Sequence, residues 1–402
     1  MQNKFRYLVL GAAGRQGVAI AYDLAKNCDA ETVILADSDS AALDHAHLRL
    51  ARLLPDATNV FKKQILDVSN TSQTAAAMNG THVVISSVPY RFNPALTVAA
   101  IRAGASFCDL GGNTEIVRTQ LAHDEAAKAA NVSIVPDCGL APGLGNILAA
   151  HGIAQFDEAH AAHIRCGGLP ETPVGPLGYK LLFNFQGLIN EYSGYGEFLR
   201  DGAPTLIPAL TELESVAFDL SRFEAAPPDR ATLHLEAAIT SGGTSTCAET
   251  FRGKIRDYDY KTLRYPGHFA IVKAMMDLAM FDEEVPRENG ESLRPKAVNR
   301  ALLEEKLRFP EVRDMTVLTV TVTGVKDGRQ QTRRYDLFDR HDEATGFTAM
   351  ERTTGFPTAI VAHMKATGEI QPGAHTPERC LPTDAFMKQL PRHDLRIIES
   401  QG

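Results

Sequence analysis

The chain has 402 residues, 44% hydrophobic and 22% charged, which is the composition of a globular protein and a length that suggests two domains. Its 41 basic and 49 acidic residues are dispersed, so the net charge of −8 contains no block that would grip nucleic acid or a lipid surface, and neither is expected as a partner. No apolar run reaches the roughly 18 residues of a membrane span, the first residues lack a signal-peptide pattern, and six cysteines without a CxxC or His-Cys cluster predict reduced thiols, no metal site and a cytoplasmic protein.

Residues 1–137 alternate two kinds of segment. FRYLVLG, TVILAD, VFKKQILD, THVVISSVP, ASFCDLGG and VSIVPD are β-branched or continuously apolar, as strands covered on both faces are. Ala-rich stretches such as GVAIAYDLAKN and ALTVAAIRAGA read as the helices between them. That alternation predicts a Rossmann-type, doubly wound parallel sheet in an α/β protein. PDCGLAPGLGN marks a junction. Residues 138–351 then read as a second, α+β domain for substrate binding and dimerisation. There LHLEAAIT and TVLTVTVTGVKDGRQQTRRYDLF suggest an antiparallel sheet, the second a hairpin turning at Lys326-Asp327-Gly328. GFPTAIVAHMKATG reads as a helix returning to the first domain, so residues from about 352 to 402 are expected to complete the Rossmann unit.

YLVLGAAGRQG places Gly11, Gly14 and Gly17 directly after the first strand, with Ala13 where the usual G-x-G-x-x-G turn has its second glycine. A turn cleared of side chains lets the N–H groups of the next helix meet a pyrophosphate, and Arg15 and Gln16 fall within it. Asp37 ends the second strand about 20 residues further on, where a carboxylate accepts from the ribose hydroxyls and repels a 2′-phosphate, which favours NAD over NADP. Arg15 argues the other way if its guanidinium neutralises that phosphate, and equally reaches the pyrophosphate or solvent. Asp67 and Val68 close the third strand and either approach the adenine or form a solvated strand end. Ser87, Val88 and Pro89 follow the fourth strand on the carboxyl side, where doubly wound folds hold ligands, unless SSVP is an ordinary proline turn.

LGAAGRQG, DLGGN, VPDCGLAPGLGNIL, CGGLPETPVGPLGYKLLF, GLINEY, SGGTST, KTLRYPGH and ERTTGFP together resemble the saccharopine dehydrogenase-like family, on its lysine 6-dehydrogenase branch, over almost the whole chain. The resemblance implies an NAD-dependent oxidation of the side-chain primary amine of an amino acid. Hydride leaves the carbon bearing the amine, water releases ammonia from the imine, and the semialdehyde cyclises. Ala13, Arg91 in YRFN and Lys180 after Tyr179 depart from that pattern, the last toward saccharopine-forming relatives. The alternative is therefore a reductive condensation of saccharopine or carboxyspermidine type, joining an amine to a keto acid or semialdehyde. It needs a second carboxylate clamp, for which Arg91, Arg165 and Arg252 are candidates. A non-catalytic NAD-binding regulator is a third reading, opposed by the joint presence of the site candidates. The antiparallel sheet of the second domain offers a surface for a homodimer or higher homo-oligomer.

An amino acid oxidised at its far end requires a cation for the α-carboxylate, an acceptor for the ammonium and a base. Arg264 in TLRYPGH suits the carboxylate through its planar fork, or makes a surface ion pair; Tyr265 adjoins it. His268 shares a face with Arg264 if the segment is helical, although Pro266 and Gly267 favour a turn, and is either the base or a structural histidine. Lys180 is a base only if burial lowers its pKa. Asp109 ends the fifth strand and either holds the nicotinamide or the amine, or caps a turn. Thr244, Ser245, Tyr179, Tyr192 and Gly168 complete the substrate candidates, and Glu191 is a candidate ammonium partner. Cys138 is discounted as a nucleophile because nothing basic adjoins it.

Overall fold

A computed structural model describes residues 4–288 and 290–402. The first half runs β1 (Phe5–Leu10), α1 (Arg15–Asn27), β2 (Ala30–Asp37), α2 (Ser40–Leu53), β3 (Phe61–Ile65), α3 (Thr71–Met78) and β4 (Val83–Ser86). It continues through α4 (Asn93–Ala103), β5 (Ser106–Asp109), α5 (Thr114–Leu121), α6 (Asp124–Ala129), β6 (Ser133–Val135) and α7 (Leu144–Ala154). Next come β7 (Glu158–Pro170), α8 (Phe185–Glu191), β8 (Tyr195–Arg200), β9 (Ala203–Pro208), β10 (Glu214–Asp219), β11 (Thr232–Ile239) and α9 (Cys247–Thr250). The chain proceeds through β12 (Asp257–Arg264), α10 (His268–Asp277), the short pair β13 (Val285–Pro286) and β14 (Ser292–Leu293), α11 (Pro295–Lys306), β15 (Asp314–Lys326) and β16 (Arg329–Arg340). It ends with α12 (Ala349–Ala366), β17 (Gly373–Ala374), α13 (Pro377–Cys380), α14 (Thr383–Gln389) and β18 (Ile397–Gln401).

Seven strands make a sheet in the order β17-β6-β5-β4-β1-β2-β3, all in parallel. Tyr7, Leu8, Val9 and Leu10 are all fully buried, because helices cover both faces and leave no polar side to β1. The chain builds outward from β1 to β3, then restarts beside β1 with β4. That reversal opens a crevice at the carboxyl ends of the strands, the ligand position of such sheets.

The second sheet has the order β10-β11-β12-β7-β15-β16-β18, with the β8–β9 hairpin beside β12. It is mixed where an antiparallel sheet was expected: β12 and β7 pair in parallel, since nearly ninety residues separate them and allow a crossover. The β15–β16 hairpin pairs Lys326 with Arg329, and Asp327 and Gly328 between them take φ of 51° and 70°, the conformation that tight hairpins require.

After β16 the chain returns to the first sheet. Thr348 and Glu351 cap α12 reciprocally at 3.1 and 2.9 Å, α12 packs against α1, and β17 adds to the edge of β6. The last strand crosses back, β18 pairing with β16, so the segment expected to complete the Rossmann unit ends before Ile397. One apolar cluster contains Val9 from the first sheet and Cys138 from the loop after β6 together with Ile164 and Leu318 from the second sheet, so the two walls of the cleft share a core. Among the described residues no helix is long and apolar enough to cross a membrane.

Candidate functional site

The cleft begins at the glycine turn. A Cβ on Gly17 would lie 2.3 Å from the Gly11 carbonyl oxygen, so only glycine lets α1 start that close to β1. Gly14 caps α1 without a side chain, and the N–H groups of Arg15, Gln16 and Gly17 therefore have no helical acceptor and face outward for an anion. Ser87 ties the β4 loop to the turn through Leu10 O at 2.8 Å and Gly11 O at 3.1 Å, and Val88 packs against Gly11. Pro89 opens a short helical turn, Tyr90–Phe92. Gln16 donates to Met350 O at 3.2 Å, while its Oε1 is buried without a partner. Arg15 is exposed and pairs with Glu351 at 2.6 Å. Free helix N–H groups and a cation at the rim suit the pyrophosphate of a pyridine dinucleotide.

The two carboxylates expected to read that nucleotide each accept from neighbouring N–H groups. Asp37 Oδ2 accepts from Ala13 N and Oδ1 from Asp39 N, both at 3.1 Å, so it braces the glycine turn from β2. Asp67 is exposed, and its carboxylate accepts from Ser69 N and Oγ, which lowers its pKa and folds it onto its own loop. Val68 is partly buried and packs against the apolar cluster that contains Leu10, Leu66 and Val84.

At the ends of β5 and β6 sit two buried acids. Asp109 accepts from Gln120 Nε2 at 2.7 Å, Gly111 N at 2.8 Å and Asp137 N at 3.2 Å. These three bonds brace the loop, at a position where a nicotinamide or amine ligand was expected. Asp137 has the opposite character. Its backbone is left-handed at φ 59°, Oδ2 accepts from Ser245 Oγ, and Oδ1 has no hydrogen-bond partner among the described residues. Burial, and then the neighbouring Asp109, push its carboxyl up to about 8. A Cβ on Gly111 would lie 2.0 Å from that free oxygen, and Gly111 itself has φ 76°.

Across the cleft, Arg264 ends β12 and is 2% exposed. Its Nε donates to Tyr192 Oη at 2.9 Å, Nη1 to Leu263 O at 2.9 Å, and Nη2 reaches Glu191 Oε2 at 3.4 Å. Its guanidinium carbon lies 4.7 Å from the Tyr179 ring centroid, and the buried Tyr179 hydroxyl has no partner. Glu191 is half-buried, and enclosure raises its carboxyl to about 7 against the pull of Arg264.

Pro266 and Gly267 make a turn rather than a helix, with Gly267 N and Phe269 N donating to Glu236, and His268 opens α10. His268 Nδ1 lies 2.9 Å from Leu177 O and Nε2 2.9 Å from Tyr192 Oη. Burial, then Arg264, hold its pKa down to about 3. With both nitrogens engaged and the ring neutral, it positions Tyr192 where a general base was expected. Lys180 is half-buried and donates an N–H to Val312 O, and burial lowers its pKa. Tyr265 donates to Pro170 O at 2.9 Å and supports the turn. A Cβ on Gly168 would lie 2.2 Å from Met350 Cε, so that glycine serves the close approach of β7 to α12.

A cavity of about 400 Å³ opens between α5 and the β8–β9 hairpin, lined by Thr114, Glu115, Arg118, Glu197, Thr244 and Ser245 among others. Thr244 Oγ1 donates to Glu197 O at 2.8 Å. Arg118 pairs with Glu197 at 2.9 Å and Glu249 at 2.5 Å, and with Glu115. Tyr90 Oη accepts from Asn190 Nδ2 at 3.2 Å and so joins the β4 loop to α8 across the cleft. Of the three further arginines, Arg165 is committed to Asp259 and Glu214, Arg252 is exposed on the α9 side, and Arg91 beside Tyr90 is exposed with its guanidinium 4.5 Å from the Phe92 ring. Cys138 is buried and its thiol pushed far up, which leaves no thiolate. Asp137 carries no motif in the sequence; its signal is a carboxylate directly after Pro136 at the end of the last strand before the junction.

Two family models match this chain: the saccharopine dehydrogenase NADP binding domain over residues 7–135 and the saccharopine dehydrogenase C-terminal domain over residues 139–395. The chain is similar to saccharopine dehydrogenase (NADP(+), L-glutamate-forming) of Saccharomyces cerevisiae, 24% identical over 81% of this chain and 85% of that protein. The protein of that name from Schizosaccharomyces pombe is 22% identical over 83% and 87%. The mitochondrial alpha-aminoadipic semialdehyde synthase of Rattus norvegicus is 23% identical over 72% of this chain and 37% of its own length. The apo structure of saccharopine dehydrogenase (L-Glu forming) from Saccharomyces cerevisiae covers 99% of this chain at a TM-score of 0.75 and 21% identity, a likeness of fold.

Proposed function

The chain belongs to the saccharopine dehydrogenase family, whose members act as oxidoreductases on CH–NH groups, and from that premise we propose that it forms or cleaves a secondary amine joining an amino acid to a second carboxylate-bearing carbon. The motifs alone favoured oxidation of a primary amine on the lysine 6-dehydrogenase pattern; the names of the relatives support the condensation reading instead. They also favour NADP over the NAD expected from Asp37.

One observation carries this reading. A substrate with two separated carboxylates needs two cations, and the cleft bridged by Tyr90 and Asn190 has Arg264 buried on the α8 side and Arg91 exposed, without an ion-pair partner among the described residues, on the β4 side. Arg264 takes the α-carboxylate and Glu191 its ammonium. Arg91 takes the second carboxylate. The nicotinamide, when bound, supplies or accepts the hydride at the carbon attached to nitrogen. Held in place by both ends, the amine and carbonyl are brought within reach of one another, which replaces a bimolecular encounter by an intramolecular one.

Nucleotide absorbance tests it. NADPH consumption is expected only when an amino acid with a free amine and a keto acid or semialdehyde are both present, and saccharopine with NADP is expected to run the reverse. Reduction of NAD by lysine alone, at an equal or higher kcat/KM, would overturn it.

A further inference from the structure

We propose that Asp137 and Ser245 are the proton-transfer pair of this site: Asp137 stores the proton, and the Ser245 hydroxyl passes it to and from the substrate nitrogen in the cavity. The assignment rests on the reading above, and deepens it.

Three geometrical facts support it. Asp137 stands at the carboxyl end of β6, on the side of the switch point where sheets of this strand order place the reacting ring of a dinucleotide. Ser245 Oγ touches Asp137 Oδ2, and Ser245 lines the cavity. It therefore connects a buried carboxyl, 3% exposed, to the place a substrate enters. Both residues are left-handed without being glycine, Asp137 at φ 59° and Ser245 at φ 47°. Such backbone is held only by surrounding structure and collects at functional sites. Asp109 fixes the first through Asp137 N, and Asn146 fixes the second through Thr244 O at 3.1 Å.

The surroundings keep the proton on Asp137 at neutral pH. The carboxylates of Asp109 on β5 and Glu378 on α13 face it, Glu378 being held by the hydroxyls of Thr246 and Thr250 at 3.1 and 2.8 Å. The Cys247 thiol adjoins from α9 and is itself held neutral by burial. The nearby cation, Lys365, is turned to Phe107 O at 2.7 Å and acts on Asp109. Two acids in a buried place, with the Lys365 ammonium turned to Phe107 O, disfavour a third negative charge. An acid with a pKa of about 8 is matched to work near neutrality.

In the reductive direction the Asp137 proton sits on Oδ2 and the contact with Ser245 Oγ is reversed, Asp137 donating; the carbon–nitrogen double bond accepts hydride at carbon, its π pair becomes the lone pair of nitrogen, and nitrogen takes the Ser245 proton while Ser245 takes that of Asp137. Ionised Asp137 is then reprotonated from solvent through the open cavity. In the oxidative direction hydride leaves carbon for the nucleotide, the nitrogen proton moves to Ser245, and the Ser245 proton moves to ionised Asp137.

The test is the pH dependence of kcat in both directions for the wild type, Asp137→Asn and Ser245→Ala, with nucleotide binding followed by fluorescence quenching. Wild-type reductive kcat is expected to fall, and oxidative kcat to rise, as pH passes through about 8. Asp137→Asn is expected to lower kcat about 100-fold or more and to abolish that titration, and Ser245→Ala to lower kcat about 10-fold with nucleotide affinity unchanged. Ser245→Ala decides alone if Asp137→Asn does not fold. Variants with wild-type kcat and an unshifted titration overturn the pair while leaving the family reading intact. A wild-type enzyme that couples no amine to any carbonyl overturns that reading, and the pair with it.

Discussion

Arg264 donates from Nε to the hydroxyl oxygen of Tyr192 at 2.9 Å, and that bond sets the rest of the carboxylate site. Leu177 O can only accept, so the His268 proton resides on Nδ1 and Nε2 accepts from Tyr192. Tyr192 is thereby left with its oxygen lone pairs toward Arg264. Three of the five guanidinium N–H groups are spent on Tyr192, Leu263 O and Glu191, which leaves one on each terminal nitrogen for a bidentate carboxylate.

Arg264→Lys is accordingly expected to raise KM for the amino-acid substrate about 10-fold or more while the nucleotide KM stays within about twofold, because lysine keeps the charge and loses the fork. Steady-state kinetics with each substrate varied in turn checks it. An unchanged amino-acid KM would take Arg264 out of the clamp.

His268→Asn is expected to weaken amino-acid binding through Tyr192 and to leave the pH–rate profile above pH 5 unmoved. The ring is neutral in the folded protein down to about 3 and takes its proton near 6.5 when unfolded. Between those values the unfolded state binds the extra proton, so this residue lowers stability as pH falls below about 6.5. Thermal unfolding from pH 7 to 5 is expected to show a smaller loss in the variant than in the wild type.

Asp37→Ala is expected to raise KM for NADPH and NADH alike, several-fold each, because it removes the acceptor of Ala13 N and loosens the glycine turn. A carboxylate that instead read the ribose would, once removed, weaken NADH alone and shift the ratio toward NADPH. Initial rates with the two nucleotides separate these outcomes.

The parallel sheet was legible because strands covered on both faces are apolar throughout, as Tyr7 to Leu10 are, and because glycines at 11, 14 and 17 have one steric reason to be there. The roles at the cleft were less legible, since each is set by a partner far along the chain. Ser245 meets Asp137 from 108 residues away, and Arg264 meets Tyr192 from 72. Asp37 has the right residue type and spacing for a ribose ligand, yet spends its oxygens on Ala13 N and Asp39 N. His268 has the right chemistry for a base, and burial beside Arg264 removes it. The parallel pairing of β12 with β7 depends on a long crossover that leaves no mark in either strand's pattern.

Arg91 separates the condensation reading from primary-amine oxidation. It is exposed, makes no ion pair among the described residues and follows β4 at the carboxyl edge of the sheet, so nothing in the fold depends on its charge, and Arg91→Ala is expected to leave the melting temperature within about 1 °C of the wild type, the usual cost of a surface substitution being under 0.5 kcal/mol. If it holds the second carboxylate, its loss removes a charge-assisted interaction of about 1.5–3 kcal/mol, which is roughly 10- to 100-fold in KM for the keto acid or semialdehyde carboxylate. The amine and nucleotide constants are expected to stay unchanged, and Arg91→Lys to recover part of the loss. A substrate carrying a single carboxylate gains nothing from Arg91, so equal KM values for wild type and Arg91→Ala with every carbonyl substrate would place the second carboxylate elsewhere.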